Sequence, residues 1–298
     1  MRYHIAKTEI ANVLLAELSP GDVQTFVEHL EKNLSTEMAR KIYHTLSTGL
    51  KYCRKHQWLR HVPTEDIRIE SRGRESSGKV GIPSKAEIGA LLKAADQDIR
   101  GIDGAVIRVM AFCGLRPSEM RGLTRPLLHF DNEPAMLEVA QRADVYCKIG
   151  KPKSRAGYRK IPIGPDTVKA LKRAMLARQA GRYGLVFPNE YGGVMSYYNF
   201  AHRRWPQLMK RAGLAKIEIV TYKSSPDRKV KKIVPNFTPY ALRHVAASLW
   251  IEMGLAPKRI QELMGHTSLK MTMDTYGHLW SNPEADKRIA AEIERAVG

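Results

Sequence analysis

The chain has 298 residues, 43% of them hydrophobic, and a formal net charge of +19. That length accommodates two domains with sizeable cores, and the charge points to a polyanionic partner, nucleic acid before any other. No apolar run is long enough to span a membrane, and the N-terminus lacks the apolar core of a signal peptide.

The three cysteines, Cys53, Cys113 and Cys147, are far apart and follow no metal or redox spacing. They suit a reducing cytosol, and each reads as a small buried hydrophobe.

Residues 1–70 are predicted to be all helix. Ser19-Pro20 opens one helix, with Ser as N-cap and Pro at the first helical position. Val23, Phe26, Val27 and Leu30 then fall on one face. A second helix follows Ser35 and ends near Trp58, with Met38, Ile42, Leu46 and Leu50 at four-residue steps. Lys41, Lys51, Arg54 and Lys55 lie in it, as a DNA-facing side or as a merely solvated one. Residues 71–81 are polar, Gly/Ser-rich and basic, and read as a linker. Residues 1–81 hold 13 Lys and Arg against 10 Asp and Glu, whereas the remainder holds 36 against 20. The positive charge therefore concentrates in residues 82–298.

Past the linker, a helix from Ser84 places Ile88, Leu91 and Leu92 inward. Another contains Val106, Val109, Met110 and Cys113 and stops at Gly114. Pro117 begins the next, with Glu119 in its first turn, where a carboxylate suits the helix dipole. Strands are predicted over 136–140, 144–149 and 159–163, and helices return after Pro165 and Ser196. The pattern is a small antiparallel sheet within a mostly helical domain. Segments 217–222 and 229–234 flank the turn signal Ser224, Ser225, Pro226 and Asp227. They predict a basic hairpin carrying Lys223, Arg228, Lys229, Lys231 and Lys232, for phosphate contacts or as a solvated insertion. After Tyr240, a helix has the apolar face Leu242, Val245, Ala246, Leu249, Trp250 and Met253, capped by Gly254. Pro257 starts a helix that Gly265 ends, and Tyr276 follows Met273 by three positions on the apolar side of a short helix.

Five positions carry chemistry-bearing side chains at element ends. Arg116 sits just ahead of a helix start, where backbone N–H groups favour an anion; the alternative is a turn arginine paired with Glu119. Lys153 precedes a Gly-containing turn, where most lysines are solvated. Arg243 lies in the first turn of its helix, for phosphate or for a structural carboxylate. His266 follows the capping Gly265, and Tyr276 is a nucleophile or a core aromatic. Each signal alone is weak.

Their joint order and spacing resemble the tyrosine recombinase (phage integrase) family. The likeness runs from about Ile82 to Leu279 and extends more loosely to the N-terminal helices. Gly-Leu-Arg-Pro-Ser-Glu matches the family's first arginine motif at Arg116, and Lys153 matches its hairpin lysine. Leu-Arg-His matches the second arginine box at Arg243, and Leu-Met-Gly-His the third box at His266. Asp-Thr-Tyr-Gly-His matches the nucleophile motif at Tyr276. The chain departs from the pattern at Tyr240, where the family usually has a histidine; a phenol is a poor base at neutral pH.

The resemblance implies a multidomain fold: an all-α N-terminal core-binding (SAM-like) domain over 1–70, the linker 71–81, and a catalytic domain over 82–298. The catalytic domain would be mainly α with a small antiparallel sheet, the DNA breaking-rejoining fold. Tyr276 would attack the scissile phosphorus and leave a 3′-phosphotyrosyl link. Arg116, Arg243 and His266 would hold the nonbridging oxygens, and Lys153 would be the general acid. Neither metal, cofactor nor ATP is required, because fixed cations stand in for a metal and the link preserves the ester. The implied partners are double-stranded DNA recombination sites, a homotetramer passing through a Holliday junction, and accessory DNA-bending or directionality proteins. The location is cytoplasmic, on the nucleoid. The tail after Tyr276 has Ile289, Ala290, Ile293, Ala296 and Val297 at helical spacing, for packing on a neighbouring protomer or on its own domain. Residues 1–18 are too short for the small arm-binding domain that many integrases carry. A type IB topoisomerase-like enzyme shares this chemistry, but the N-terminal helices and tail favour the recombinase. A DNA-binding protein with a dead site has only Tyr240 in its favour. A helix-turn-helix regulator leaves the five-residue pattern unexplained.

Overall fold

Caps legible in the sequence set the starts of the long helices. The computed structural model describes residues 2–64, 67, 69, 81–222, 225–280, 292 and 295. The chain divides into two units, Met1–Gly78 and Lys79–Gly298. The expected linker residues 71–80, Lys223 and Ser224, and the tail positions Ile289, Ala290, Ile293, Ala296 and Val297 lie outside the described residues.

In the first unit, α1 (Arg2–Ala6) precedes α2 (Pro20–Asn33) and α3 (Thr36–Lys55). Ser19 and Asp22 cap α2 reciprocally: the Asp22 carboxylate accepts from Ser19 N at 2.9 Å and Ser19 Oγ accepts from Asp22 N at 3.3 Å. Val23, Phe26, Val27 and Leu30 are buried as their spacing requires. The buried face of α3 is Ala39, Ile42, Ser47 and Leu50, and Met38 is 42% exposed. The buried face takes Ala39, one position on from Met38, which packs with Phe26, Leu30 and Ile42. Ser47 Oγ, buried, lies 3.0 Å from Thr64 Oγ1, so a polar position on the inner face is satisfied. The helix ends at Lys55 rather than Trp58.

The second unit is mainly helical with small antiparallel sheets. Helix α4 (Lys85–Asp96) starts with a Ser84–Glu87 capping box and packs on α5 (Ile102–Ala111), which is buried nearly all round. After Gly114, α6 (Pro117–Gly122) leads to β1 (Leu128–His129), β2 (Met136–Val139), β3 (Arg142–Ala143), β4 (Ile149–Gly150) and β5 (Arg159–Pro162). The three-stranded sheet has the order β1-β2-β5, with Leu137 opposite Ile161.

The strand expected over 144–149 is not one. It is the turn of the β3–β4 ribbon, where the Asp144 carboxylate accepts from the N–H groups of Tyr146 and Lys148, both at 2.9 Å. A side chain that satisfies the local backbone competes with strand pairing. Val145 and Tyr146, apolar in composition, are 84% and 80% exposed.

Helix α7 (Pro165–Ala177) covers α5. A short α8 (Tyr197–Asn199) continues through a π turn into α9 (Trp205–Arg211), whose Trp205 Nε1 donates to Phe237 O at 2.8 Å. The expected hairpin is β6 (Ala215–Tyr222) with β7 (Ser225–Pro235). Its ladder runs from Ala215↔Pro235 to Tyr222↔Ser225, past the residues expected to form its turn. Three further helices follow, α10 (Ala241–Glu252), α11 (Pro257–Met264) and α12 (Leu269–Tyr276), the last running into a 3-10 turn over Gly277–Leu279. Met253, expected inward, is 75% exposed, because α10 has already ended at Glu252.

Ile42→Ala should destabilise the first unit by about 2–5 kcal/mol, since a fully buried side chain leaves a cavity. Met38→Ala on the same helix should change it by less than about 0.5 kcal/mol. Urea unfolding of the two variants checks which face is inward.

Candidate active site

Gly114 and Gly265, both with left-handed φ (+60° and +62°), turn their carbonyls toward one place in the second unit. A Cβ on Gly265 would lie 2.9 Å from Ala156 O, so this turn requires glycine. Arg243, 1% exposed, donates through Nη1 to Gly114 O and through Nη2 to Met264 O. Where the alternative reading had a structural carboxylate, Arg243 bonds these two backbone carbonyls. Among the described residues its Nε is buried without a hydrogen-bond partner. Burial, then repulsion from Arg116, lowers the guanidinium to about 10, so it stays a cation at neutral pH.

Arg116 caps α6. Its Nη1 donates to Glu119 Oε1 at 2.7 Å and its Nη2 to Gly265 O at 3.0 Å. Glu119, 4% exposed, also takes two bonds from Arg159 of β5, Nη1 to Oε1 at 3.1 Å and Nη2 to Oε2 at 2.8 Å. Burial raises the Glu119 pKa, but Arg159 above all, then Arg243 and Arg116, hold it at about 2. Three guanidinium groups thus face one carboxylate, an excess of positive charge that suits an anion.

His266, 7% exposed, follows Gly265, and its Nδ1 lies 2.9 Å from Thr272 Oγ1. Burial and the surrounding arginines lower its pKa to about 4, so it is neutral at pH 7 and has one N–H to donate. Its ring stacks on that of Tyr276, centroids 6.5 Å apart and 6° from parallel. Tyr276 ends α12 and is 1% exposed. It shares the inner side of that helix with Thr272, not with Met273, which is 40% exposed. Burial raises the Tyr276 pKa above its ordinary value, although Arg243 and Arg116 pull the other way. The phenol oxygen lies 2.8 Å from His244 Nδ1.

Arg116, Arg243, His266 and Tyr276, separate in sequence, are therefore neighbours. Lys153 is exposed, in the loop after β4, and lines a cleft with Arg116, Ser118, Glu119 and Gly265. Tyr240 is 41% exposed and meets His244 edge-on, ring centroids 5.3 Å apart. Among the candidate DNA contacts, Lys41, Lys51, Arg54 and Lys55 are exposed on α3, with Lys41 paired to Glu37 at 2.6 Å. Lys229 and Lys231 are exposed on β7. Arg159 and His244 join the site without a role expected from the sequence. Only the four-residue spacing of Tyr240 and His244, one helical face, hinted at the second.

The sequence profile of the phage integrase family matches residues 84–282. The chain belongs to the phage integrase family. It is 27% identical over 175 residues to the transposase from transposon Tn916 of Enterococcus faecalis, covering 58% of this chain and 41% of that transposase. The chain thus spans less than half the length of that relative. It is 25% identical over 252 residues to the tyrosine recombinase XerC of Chlamydia muridarum, covering 83% of this chain and 68% of XerC. The integrase of transposon Tn1549, solved in complex with transposon right end DNA, has the same fold: TM-score 0.73 at 20% identity, covering 99% of this chain and 90% of that one. XerH recombinase bound to difH substrate aligns with TM-score 0.63 at 17% identity, covering 94% and 72%.

Glu119 ties stability to acid. Its folded pKa, about 2, lies below the ordinary 4.5, so its contribution is complete above about pH 4.5 and is lost as pH falls through about 2. The loss should be on the order of 3 kcal/mol. Unfolding midpoints measured from pH 6 to pH 2 should show this slope in the wild type and lack it in Glu119→Gln, which should also be less stable at neutral pH.

Proposed function

We propose that this protein is a site-specific DNA recombinase that cleaves and rejoins strands through a 3′-phosphotyrosyl intermediate, as in integration or excision of a mobile element. The observation that carries this reading is the meeting of Tyr276 with Arg116, Arg243 and His266, in a site with surplus positive charge and an unpartnered Arg243 Nε. A phosphodiester is anionic and repels nucleophiles. Cations and N–H donors fixed in a buried site offset that repulsion and stabilise charge on the nonbridging oxygens as the fifth bond forms. Lys153, on the rim of the same cleft, protonates the leaving 5′-oxygen. The ester bond is conserved in the link to Tyr276, so a second strand's 5′-hydroxyl reverses the step without ATP. The guanidinium groups take the place of a metal. The arrangement of relatives supports double-stranded recombination sites as substrate, and two cleavages on each of two duplexes call for a homotetramer. The first unit, the core-binding part of this reading, contributes backbone contacts from Lys41, Lys51, Arg54 and Lys55. The hairpin adds Lys229 and Lys231. No described helix is long and apolar enough to cross a membrane, and the activity belongs in the cytoplasm with the nucleoid.

A pool of nicked random duplexes tests this, with chelator present and no nucleotide added. The wild type should yield a denaturation-resistant protein–DNA adduct, and sequencing the trapped duplexes identifies the site. Tyr276→Phe should yield none, and Arg243→Ala should slow adduct formation at least roughly a hundredfold. Duplexes that bind, by gel shift, but never become linked would overturn the reading in favour of a DNA-binding protein. Separately, binding should weaken steeply between 50 and 200 mM salt, by roughly a thousandfold if about six phosphates are contacted, as a gel-shift titration would show.

A further inference from the structure

We propose that His244 is the proton acceptor for the Tyr276 nucleophile. This rests on the recombinase reading above and adds a catalytic residue to it.

The geometry singles out one nitrogen. His244 Nδ1 lies 2.8 Å from the Tyr276 hydroxyl, and among the described residues no other side chain is hydrogen bonded to that oxygen. His266 is close but presents its ring face to the Tyr276 ring, and its Nδ1 is engaged with Thr272. Tyr240 meets the imidazole edge-on and does not bond the nucleophile. Arg116 and Arg243 are cations and accept nothing. A tyrosine this enclosed cannot wait as a phenolate at neutral pH, because burial disfavours the charged form. Its proton must leave as the bond to phosphorus forms, to a neutral base already in place. His244 is such a base: burial and the adjacent Arg243 charge lower its pKa, which keeps the imidazole uncharged at pH 7.

The step balances within the site. Tyr276 Oη bonds to phosphorus as its O–H proton passes to His244 Nδ1. The P–O5′ bond breaks, and the leaving oxygen takes a proton from Lys153. In the rejoining step the attacking 5′-hydroxyl gives its proton back to Lys153, the P–Oη bond breaks, and the imidazolium returns its proton to the phenol. The charged and titratable groups around the pair are Arg243 on the same helix, Tyr240 at its N-cap, His266 in the turn before α12, and Arg116 beyond.

Two measurements test the assignment. On the protein alone, 15N-histidine NMR should find His244 as the Nε2–H tautomer, with an unprotonated Nδ1 whose shift changes in Tyr276→Phe. A proton resident on Nδ1, donated to the phenol, would overturn the proposal whatever DNA does. On the duplex trapped from the random pool, single-turnover cleavage by His244→Asn should be about a hundredfold slower or worse. The wild-type rate should fall at acid pH as an imidazole protonates, and the variant should lose that limb. His244→Gln is the second variant, should Asn disturb folding. Replacing the scissile 5′-oxygen by sulfur, a leaving group of pKa about 8.5 that needs no proton, should rescue Lys153→Ala but neither His244 variant. A His244 variant that cleaves within threefold of wild type with an unchanged pH profile, or faster, makes the contact a latch and refutes the base. Absence of any wild-type adduct counts against the recombinase reading instead, and the tautomer then still decides which group gives the proton.

Discussion

The site depends on one buried carboxylate. Glu119 receives both Arg159 Nη groups and Arg116 Nη1, and it also accepts from Arg116 N at 2.8 Å. A carboxylate taken from water is costly unless it is paired and fully hydrogen bonded, and here four donors meet it. Without it, Arg116, Arg159 and Arg243 would repel one another with no carboxylate between them. With it, two of the three charges remain uncompensated, and the cluster is electrostatically complete only when an anion arrives.

The same arginines hold the backbone. Arg243 ties the carbonyl after α5 to the last turn of α11, Arg116 ties the start of α6 to Gly265, and Arg159 Nε ties β5 to Leu263 O at 2.7 Å. The loops are therefore placed by the groups proposed to bind phosphate. Such a site is preorganised, since its donors are already oriented before substrate and need little rearrangement during the reaction.

Local chemistry made much of this legible in the sequence. Ser19-Pro20, Ser84 with Glu87, and Gly265 announce helix ends because capping acts over three or four residues. The order of Arg116, Arg243, His266 and Tyr276 was readable as a pattern. What the sequence hid was contact across distance. Arg159 reaches Leu263 over 104 positions and Glu119 over 40, and His244 reaches Tyr276 over 32. Nothing local distinguishes a strand arginine that will be buried from one that will be solvated. Segment 144–149 departs from the expected strand for the opposite reason. Its apolar residues suggested a strand, but the Asp144 side chain satisfied the backbone first, and apolar content alone does not bury a turn.

The β6–β7 hairpin has a consequence of another kind. Among the described residues it is a two-stranded ribbon, so each strand has an edge without a ladder partner there, and Ile217 and Ile219 on β6 are 55% and 67% exposed. An apolar edge of this sort is a template for pairing with another chain. Lys216 stands beside Ile217 on β6, and Lys229, Lys231 and Lys232 line β7. Lysines along an exposed strand edge disfavour edge-to-edge pairing of two like copies, because the approaching edges carry the same charge.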